Sequence, residues 1–525
     1  MKFRVLLVLF FSVALLTPQR GKAEDGKAVI ELLDRSQLVA ADRLLAGLAE
    51  DDPWKAYAAA YMAYYRGDYA AARSLLPKGS TAAGEEGRQA ALRLRIEAGW
   101  NATLGMLTRS LGNFRYRFRP GVDALLPEYA ALALEAQREQ LVGLLGELPE
   151  SVLVEFYPDV ESFVQASGLP LEWVKTTQTV AIAKWGRMLV LSPMNRAHGY
   201  PWLDTLAHEY VHLLLAQASG GRAPVWFHEG SAKLLEGMWR GAERGVGFLD
   251  PWAESLLAAA VEEGRLVSFA QMHPSMAALP SSEMASLAFA QVACALQLIF
   301  ARIGDDGYRR VVAELASGRD LMAVLDRSLG GGEGGFEQHY RGHLKNLPLR
   351  RLAAVRELRF ELEPGAAEVE DEDARQLDPV LFADRKMQDH TRLGDLLRVR
   401  GHREAALVEY RRAQAAGPFH SPALANKQAR TLRSLGQLED ATLILEDSVS
   451  LYPEFTPTTT LLAEIVAVGG DDRRAVDLLL RSIALNPFNP AVHRMLEALF
   501  IRLGDQDGAT REAAASGILQ DWLRP

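Results

Sequence analysis

The stretch TLAHEYVHLLLAQASGGRAPVWFHEGSAKLLE, Thr205 to Glu236, decides how the chain is read. Leu203, Leu206, Ala207, Val211 and Leu214 recur at helical spacing, so the first half is an amphipathic helix. Residues four apart on a helix share a face, which turns His208 and His212 the same way, one turn apart. Zn²⁺ suits such a pair: it takes imidazole nitrogens at about 2.0–2.1 Å and keeps one position for water in catalytic sites. Glu209, one position on, lies beside the metal and is placed to act as general base. The plain alternative, two histidines on a buried helix face, leaves imidazoles and a carboxylate buried at a cost that needs its own explanation. Ala216–Arg222 (AQASGGR) breaks the helix, and Val225-Trp226-Phe227 opens a second one. Two antiparallel helices joined in this way can return Glu229 to the histidines as third ligand, with Glu236 the next acid in line.

His-Glu-x-x-His followed by Trp226-x-x-Glu229-Gly230-x-Ala232 resembles the gluzincin metallopeptidases, in particular the bacterial peptidase MA-like proteins. The resemblance implies a thermolysin-like core of a small mixed sheet plus zinc-binding helices. It implies one Zn²⁺ per chain on His208, His212 and Glu229, with Glu209 catalytic. The family's long core helix carries a Tyr that aligns here with Phe289 in Ala288-Phe289-Ala290-Gln291, so an oxyanion donor is missing from that position. His198, Tyr200 and His228 are the substitutes that sequence proximity offers.

Outward from this centre, 111–350 forms the expected peptidase domain. Phe114, Tyr116 and Phe118 alternate with arginines, which predicts a half-buried strand. Val152–Tyr157 predicts a second strand, and Val180–Pro193 two strands around a turn at Trp185-Gly186-Arg187. By the resemblance, part of Val180–Leu191 is the edge strand that pairs with an extended substrate; the other reading is a purely structural hairpin. Leu287–Arg302 is apolar nearly all round and reads as a core helix that shelters the single cysteine, Cys294.

Residues 24–110 are helical and Ala-rich. Gly67 marks a helix turn that fits either one degenerate tetratricopeptide unit or a generic hairpin packed on the next domain. Residues 1–23 are expected to be a signal peptide: Lys2 and Arg4 precede the apolar run Val5–Leu16, and Gly21-Lys22-Ala23 offers small residues for cleavage. Without a later apolar run of membrane length, the expected location is the periplasm or outside the cell, with no stable membrane span after cleavage. Residues 351–385, with the acidic run Glu361–Asp378, read as a linker.

Residues 386–525 repeat. Gly401, Gly436, Gly470 and Gly504 recur in register, each followed five residues later by Ala406, Ala441, Ala475 or Ala509. Pro418, Pro453 and Pro487 close three of the units. This resembles a tetratricopeptide (TPR) solenoid, whose units stack because none buries its face alone. Such arrays bind proteins or peptides; the competing role is a brace on the peptidase.

The expected fold class is therefore α+β, mainly α. A net charge of −9 over 525 residues argues against a nucleic-acid binder. The expected function is an exported zinc metallopeptidase acting on a peptide or protein substrate, with a protein partner on the repeats. Lack of a charged cluster for a chain terminus points to an endopeptidase. The alternative is a zinc-binding scaffold in envelope assembly, weak or idle in catalysis.

Overall fold

The computed structural model describes residues 25–76, 86–196, 198–241, 249–273, 276, 279–329, 335–357 and 384–523. Residues 1–23, the expected signal peptide, and the acidic run Glu361–Asp378 lie outside them. The chain is mainly helical around one small mixed sheet.

The sheet has five strands: β1 (Leu107–Leu111), β2 (Phe114–Phe118), β3 (Val152–Tyr157), β4 (Ala181–Lys184) and β5 (Arg187–Leu191). Their order is β1-β2-β3-β5-β4. The β2–β3 and β3–β5 pairs are parallel, and both edge strands are antiparallel to their neighbours. β3 is buried along its whole length, as expected of a parallel strand covered on both faces. Val152, Val154 and Phe156 face the main core, while Tyr157 packs with Phe163 and Leu189 on the other side. Phe114, Tyr116 and Phe118 are buried as their alternation predicts. β1 departs from expectation: its residues fall where the helical segment should end, so the helix-to-sheet boundary lies earlier than residue 110. Four of its five residues are exposed, and a strand without a buried face has no alternation to announce it.

The N-terminal helices cover the second face of the sheet. The hairpin Lys55–Tyr65 and Tyr69–Leu75 turns at Gly67, whose φ of 72° suits glycine. A Cβ there would sit 2.2 Å from the Leu153 side chain. A buried charge network ties the layers: Glu155 pairs with Arg187 at 3.1 Å and with Arg117 at 2.6 Å. Tyr69 donates to the same carboxylate, and Arg187 donates to the Tyr64 carbonyl. The hairpin is thus packed on the sheet, as the generic reading has it.

On the first face lie the histidine helix Trp202–Ala218, the Glu229 helix Val225–Leu235, and Ser282–Ala316, which kinks at Gly304. Ser282–Ala316 corrects one expectation, for it is long and apolar enough by composition to cross a membrane. Its most apolar window is 67% buried inside the fold, which accounts for the apolarity as core packing. Cys294 lies within it, fully buried, with its thiol pushed up to about 12 by that burial.

Four helix pairs form the repeat array: Arg385–Val399 with Arg403–Ala416, Pro422–Ser434 with Leu438–Leu451, Thr456–Val468 with Asp472–Ile483, and Pro490–Leu503 with Gln506–Leu523. Gly401, Gly436, Gly470 and Gly504 turn each pair with φ between 78° and 88°. Ala406, Ala441, Ala475 and Ala509 are buried where paired helices approach.

The array is docked on the core rather than tethered by a free linker. Residues 352–356, assigned to the linker by sequence, pack against it: Val355 is 4% exposed, the Ala354 carbonyl accepts from the His420 amide at 2.8 Å, and the Arg356 amide donates to Tyr452 Oη at 3.1 Å. Composition hides this, because one buried valine and two main-chain hydrogen bonds leave no mark on it. The Tyr200 amide donates to the Leu485 carbonyl at 3.0 Å, and Trp202 Nε1 to the Ile483 carbonyl at 2.9 Å. Tyr129 Oη donates to Glu512, which also faces His493 and Arg511. His493 and Glu512 are wholly buried. These contacts favour the brace.

Gly199 is where the two parts touch most closely. Its φ is 70°, and a Cβ would lie 1.9 Å from the Leu485 carbonyl oxygen. Gly199→Ala is therefore expected to lower stability by at least about 1–3 kcal/mol, the cost of a non-glycine residue in strained backbone. Denaturant unfolding checks this; an unchanged midpoint means that the docking contributes nothing to folding.

Candidate metal centre

The histidine helix is anchored before it presents its ligands. Trp202 packs edge-on to Phe156 and Tyr210 edge-on to Phe114, both from the sheet. Leu203, Leu206, Ala207, Val211 and Leu214 are buried on the helix's inner face, as their spacing predicts. Gly220 and Gly221, at φ 62° and 66°, make the reversal that brings the second helix back. Gly230 then lets that helix approach Ser282–Ala316: a Cβ there would meet the Val292 carbonyl and the Leu296 side chain at 2.5 Å. That approach is a physical reason for glycine directly after Glu229.

The three sequence-predicted ligands come together. Glu229 Oε2 lies 3.4 Å from His208 Nε2 and 3.6 Å from His212 Nε2. One ligand atom from each residue falls within 4.8 Å of the others. Ligand atoms set tetrahedrally at about 2.0–2.1 Å from Zn²⁺ stand about 3.3–3.4 Å apart, so both carboxylate–imidazole separations fit a shared ion. Two nitrogens and one oxygen are also a donor set that zinc accepts.

A further residue orients the set. Glu236 Oε2 lies 2.9 Å from His208 Nδ1, and Lys233 Nζ donates to Glu236 Oε1 at 2.6 Å. A carboxylate on Nδ1 selects the tautomer that leaves the Nε2 lone pair for a metal. The sequence offers Glu236 only as a reserve ligand; the available signal for its actual role is its place about one turn beyond Lys233, at the end of the Glu229 helix.

Electrostatics follow from this crowding. Burial opposes a charge on His208, but Glu229 and Glu236 outweigh it and push its pKa up to about 10. Burial also opposes charge on Glu229, yet His212 and His208 hold its carboxyl well below the ordinary range. The anionic surroundings that retain a proton on His208 favour a cation equally, and the two compete for the same nitrogen. Burial raises the Glu209 carboxyl, against the pull of His212 and His208 and of the Ala183 amide, whose N–H it accepts. That amide belongs to β4, so the edge strand and the predicted base are in direct contact.

The oxyanion substitutes separate. Tyr200 is buried and donates its hydroxyl to the Leu191 carbonyl. His198 packs at a tilt against Phe455 of the repeat array, 4.7 Å between ring centroids, and belongs to the docking interface. His228 lies half-buried with its ring centroid 5.5 Å from that of His212. Burial and His212 together press its pKa down to about 3. Phe289 is 37% exposed between buried Ala288 and Ala290.

No family model matches the chain, and no curated protein matches it. Among solved structures it is similar to a MamA protein (21% identity, 26% of this chain and 74% of that one, TM-score 0.25). It is also similar to TTC0263, a thermophilic TPR protein in Thermus thermophilus (22%, 25% and 89%, TM-score 0.18). A third likeness is to the APC/C hetero-tetramer Cut9–Hcn1 (10%, 94% and 95%, TM-score 0.23). At such TM-scores these likenesses carry no argument, and the helical-repeat assignment rests on the chain's own four helix pairs.

Metal content is the direct check on this geometry. The purified chain is expected to hold about one zinc, removable by chelation, and Glu229→Ala to lose most of it. Glu236→Ala should weaken zinc binding by about 10–100-fold, the usual effect of removing a histidine's carboxylate partner, while full loading at excess zinc persists. Equal zinc affinity in wild type and Glu229→Ala removes Glu229 from the ligand set.

Proposed function

We propose that the chain is an exported, zinc-dependent peptidase whose helical repeats brace the catalytic core and offer an outer surface to a protein partner. The observation that carries this reading is the convergence of His208, His212 and Glu229 with Glu209 beside them. When bound, Zn²⁺ supplies Lewis acidity at a scissile carbonyl and lowers the pKa of a water to about 7.

The chain's own residues do the rest. Glu209 takes a proton from the attacking water and returns it to the leaving amine nitrogen. Its burial keeps the carboxyl from being too weak a base, and the Ala183 N–H holds it in place. β4 pairs only with β5 among the described residues, which leaves its outer edge, apart from the Ala183 N–H taken by Glu209, for an extended peptide to add to. Lys233 and Glu236 keep His208 in one tautomer through turnover.

The second reading is a zinc-binding scaffold. It draws on Phe289, which has no hydroxyl to offer a transition state, and on the size of the repeat array, a class of surface that binds proteins. Glu209 argues against it, because burying a carboxylate beside an idle metal site costs free energy and returns nothing.

Glu209→Gln separates the two. It keeps the side chain's size and leaves all three ligands, so zinc content and melting temperature should match wild type. Turnover of a fluorogenic peptide mixture should fall by roughly 10²–10⁴-fold, the worth of positioned acid–base catalysis. Equal turnover in both proteins sinks the peptidase reading, as does full complementation of a deletion strain by the variant.

A further inference from the structure

Hydrolysis of an amide places negative charge on the former carbonyl oxygen, and a fixed N–H or O–H aimed there is commonly the largest protein contribution to the rate. The polar groups around the three ligands can be taken in turn. His208 Nδ1 is held by Glu236, and Lys233 Nζ donates to Glu236. Trp239 Nε1 and Arg240 both donate to Asp204. The Tyr200 hydroxyl is spent on Leu191, and His198 is packed into the interface with the repeats. Each of these donors is already directed at a protein oxygen or turned away.

His228 differs from all of them. Its ring lies 5.5 Å from the ring of His212, closer to the ligands than any other imidazole outside the set. It is half-buried, and no hydrogen bond to either of its ring nitrogens occurs among the described residues. It does not belong to the three-residue ligand cluster. Its backbone is rigid: Glu229 follows it, and Gly230 wedges against Val292 and Leu296. An imidazole offers an N–H in either tautomer. A donor carried on a tightly packed helix beside the ligands, with no protein oxygen to spend its N–H on among the described residues, matches what the developing oxyanion requires.

We infer that His228 donates a hydrogen bond to the carbonyl oxygen of the bound peptide as it becomes an oxyanion, and so acts as a catalytic residue of the proposed peptidase. This rests on the peptidase reading given above. It goes beyond that reading by adding a catalytic group to the ligands and the base.

The test uses the zinc-loaded chain with His228→Ala and His228→Gln, the latter keeping an N–H at similar reach. Zinc content and melting temperature are measured first, then binding of two probes by calorimetry. One probe is a phosphinic peptide, whose tetrahedral oxygens mimic the oxyanion. The other is a thiol dipeptide, which binds zinc without one. His228→Ala is expected to keep zinc, bind the thiol dipeptide as wild type does, and bind the phosphinic peptide at least about tenfold more weakly, with partial rescue in His228→Gln. On fluorogenic peptides its kcat should drop by roughly 10²–10³-fold, with KM changed by far less.

Equal phosphinic-peptide affinity in wild type and His228→Ala overturns the inference, and so does loss of zinc in His228→Ala, which makes the residue a ligand. Failure of the peptidase reading looks different, because wild type and Glu209→Gln then turn over alike while the two probe affinities still report on His228.

Discussion

Everything in this molecule is arranged around two imidazoles held one helical turn apart and facing a carboxylate from an antiparallel helix. The spacing of His208 and His212 costs nothing, since any helix puts residues four apart on one face. Bringing Glu229 to within 3.4 and 3.6 Å of them is the demanding part. It needs a reversal that two consecutive left-handed glycines make possible, and a glycine at 230 so that the second helix can lie against the third. It also needs the histidine helix held still, which Trp202 and Tyr210 do by packing on the sheet. Three such groups crowded together without a shared proton or cation would repel or strand one another. The proposed zinc would relieve that conflict.

The repeat array belongs to the same arrangement. Tyr200 and Trp202, which open the histidine helix, both bond to carbonyls near residue 485 of the array. Gly199 lets the two backbones approach too closely for any side chain. Buried His493 and Glu512 bind the last repeat to Tyr129 of the core. A partner that bends the array would therefore act on the segment that leads into the metal ligands.

Much of this was legible in the sequence. The shared face of His208 and His212 is legible from spacing, because helical periodicity fixes which residues lie together, and the two-helix return offers Glu229 as their neighbour. The buried strands around Phe114 and Val152 followed from alternation and from apolar runs, and the repeats from their glycines and alanines. What escaped shares a cause. β1 is exposed on nearly every residue and so carries no periodic signal. Residues 352–356 look like linker because a single buried valine and two main-chain hydrogen bonds leave no trace in composition. Glu236 was visible only as another acid, since its role depends on a side-chain contact with His208 across 28 residues. The docking of the array was open in the sequence only as a brace, since its contacts join residues hundreds of positions apart, such as Tyr129 with Glu512 and Trp202 with Ile483. Ser282–Ala316, by contrast, was legible as a core helix over Leu287–Arg302, although its apolarity fits a membrane as well.

The most direct test of the central claim is X-ray absorption at the zinc edge on the zinc-loaded chain. The account predicts a first shell of about four nitrogen or oxygen atoms at roughly 2.0–2.1 Å, with outer-shell scattering from two imidazoles. A sulfur shell near about 2.3 Å, or a spectrum without scattering from two imidazoles, would place the metal elsewhere and contradict the account.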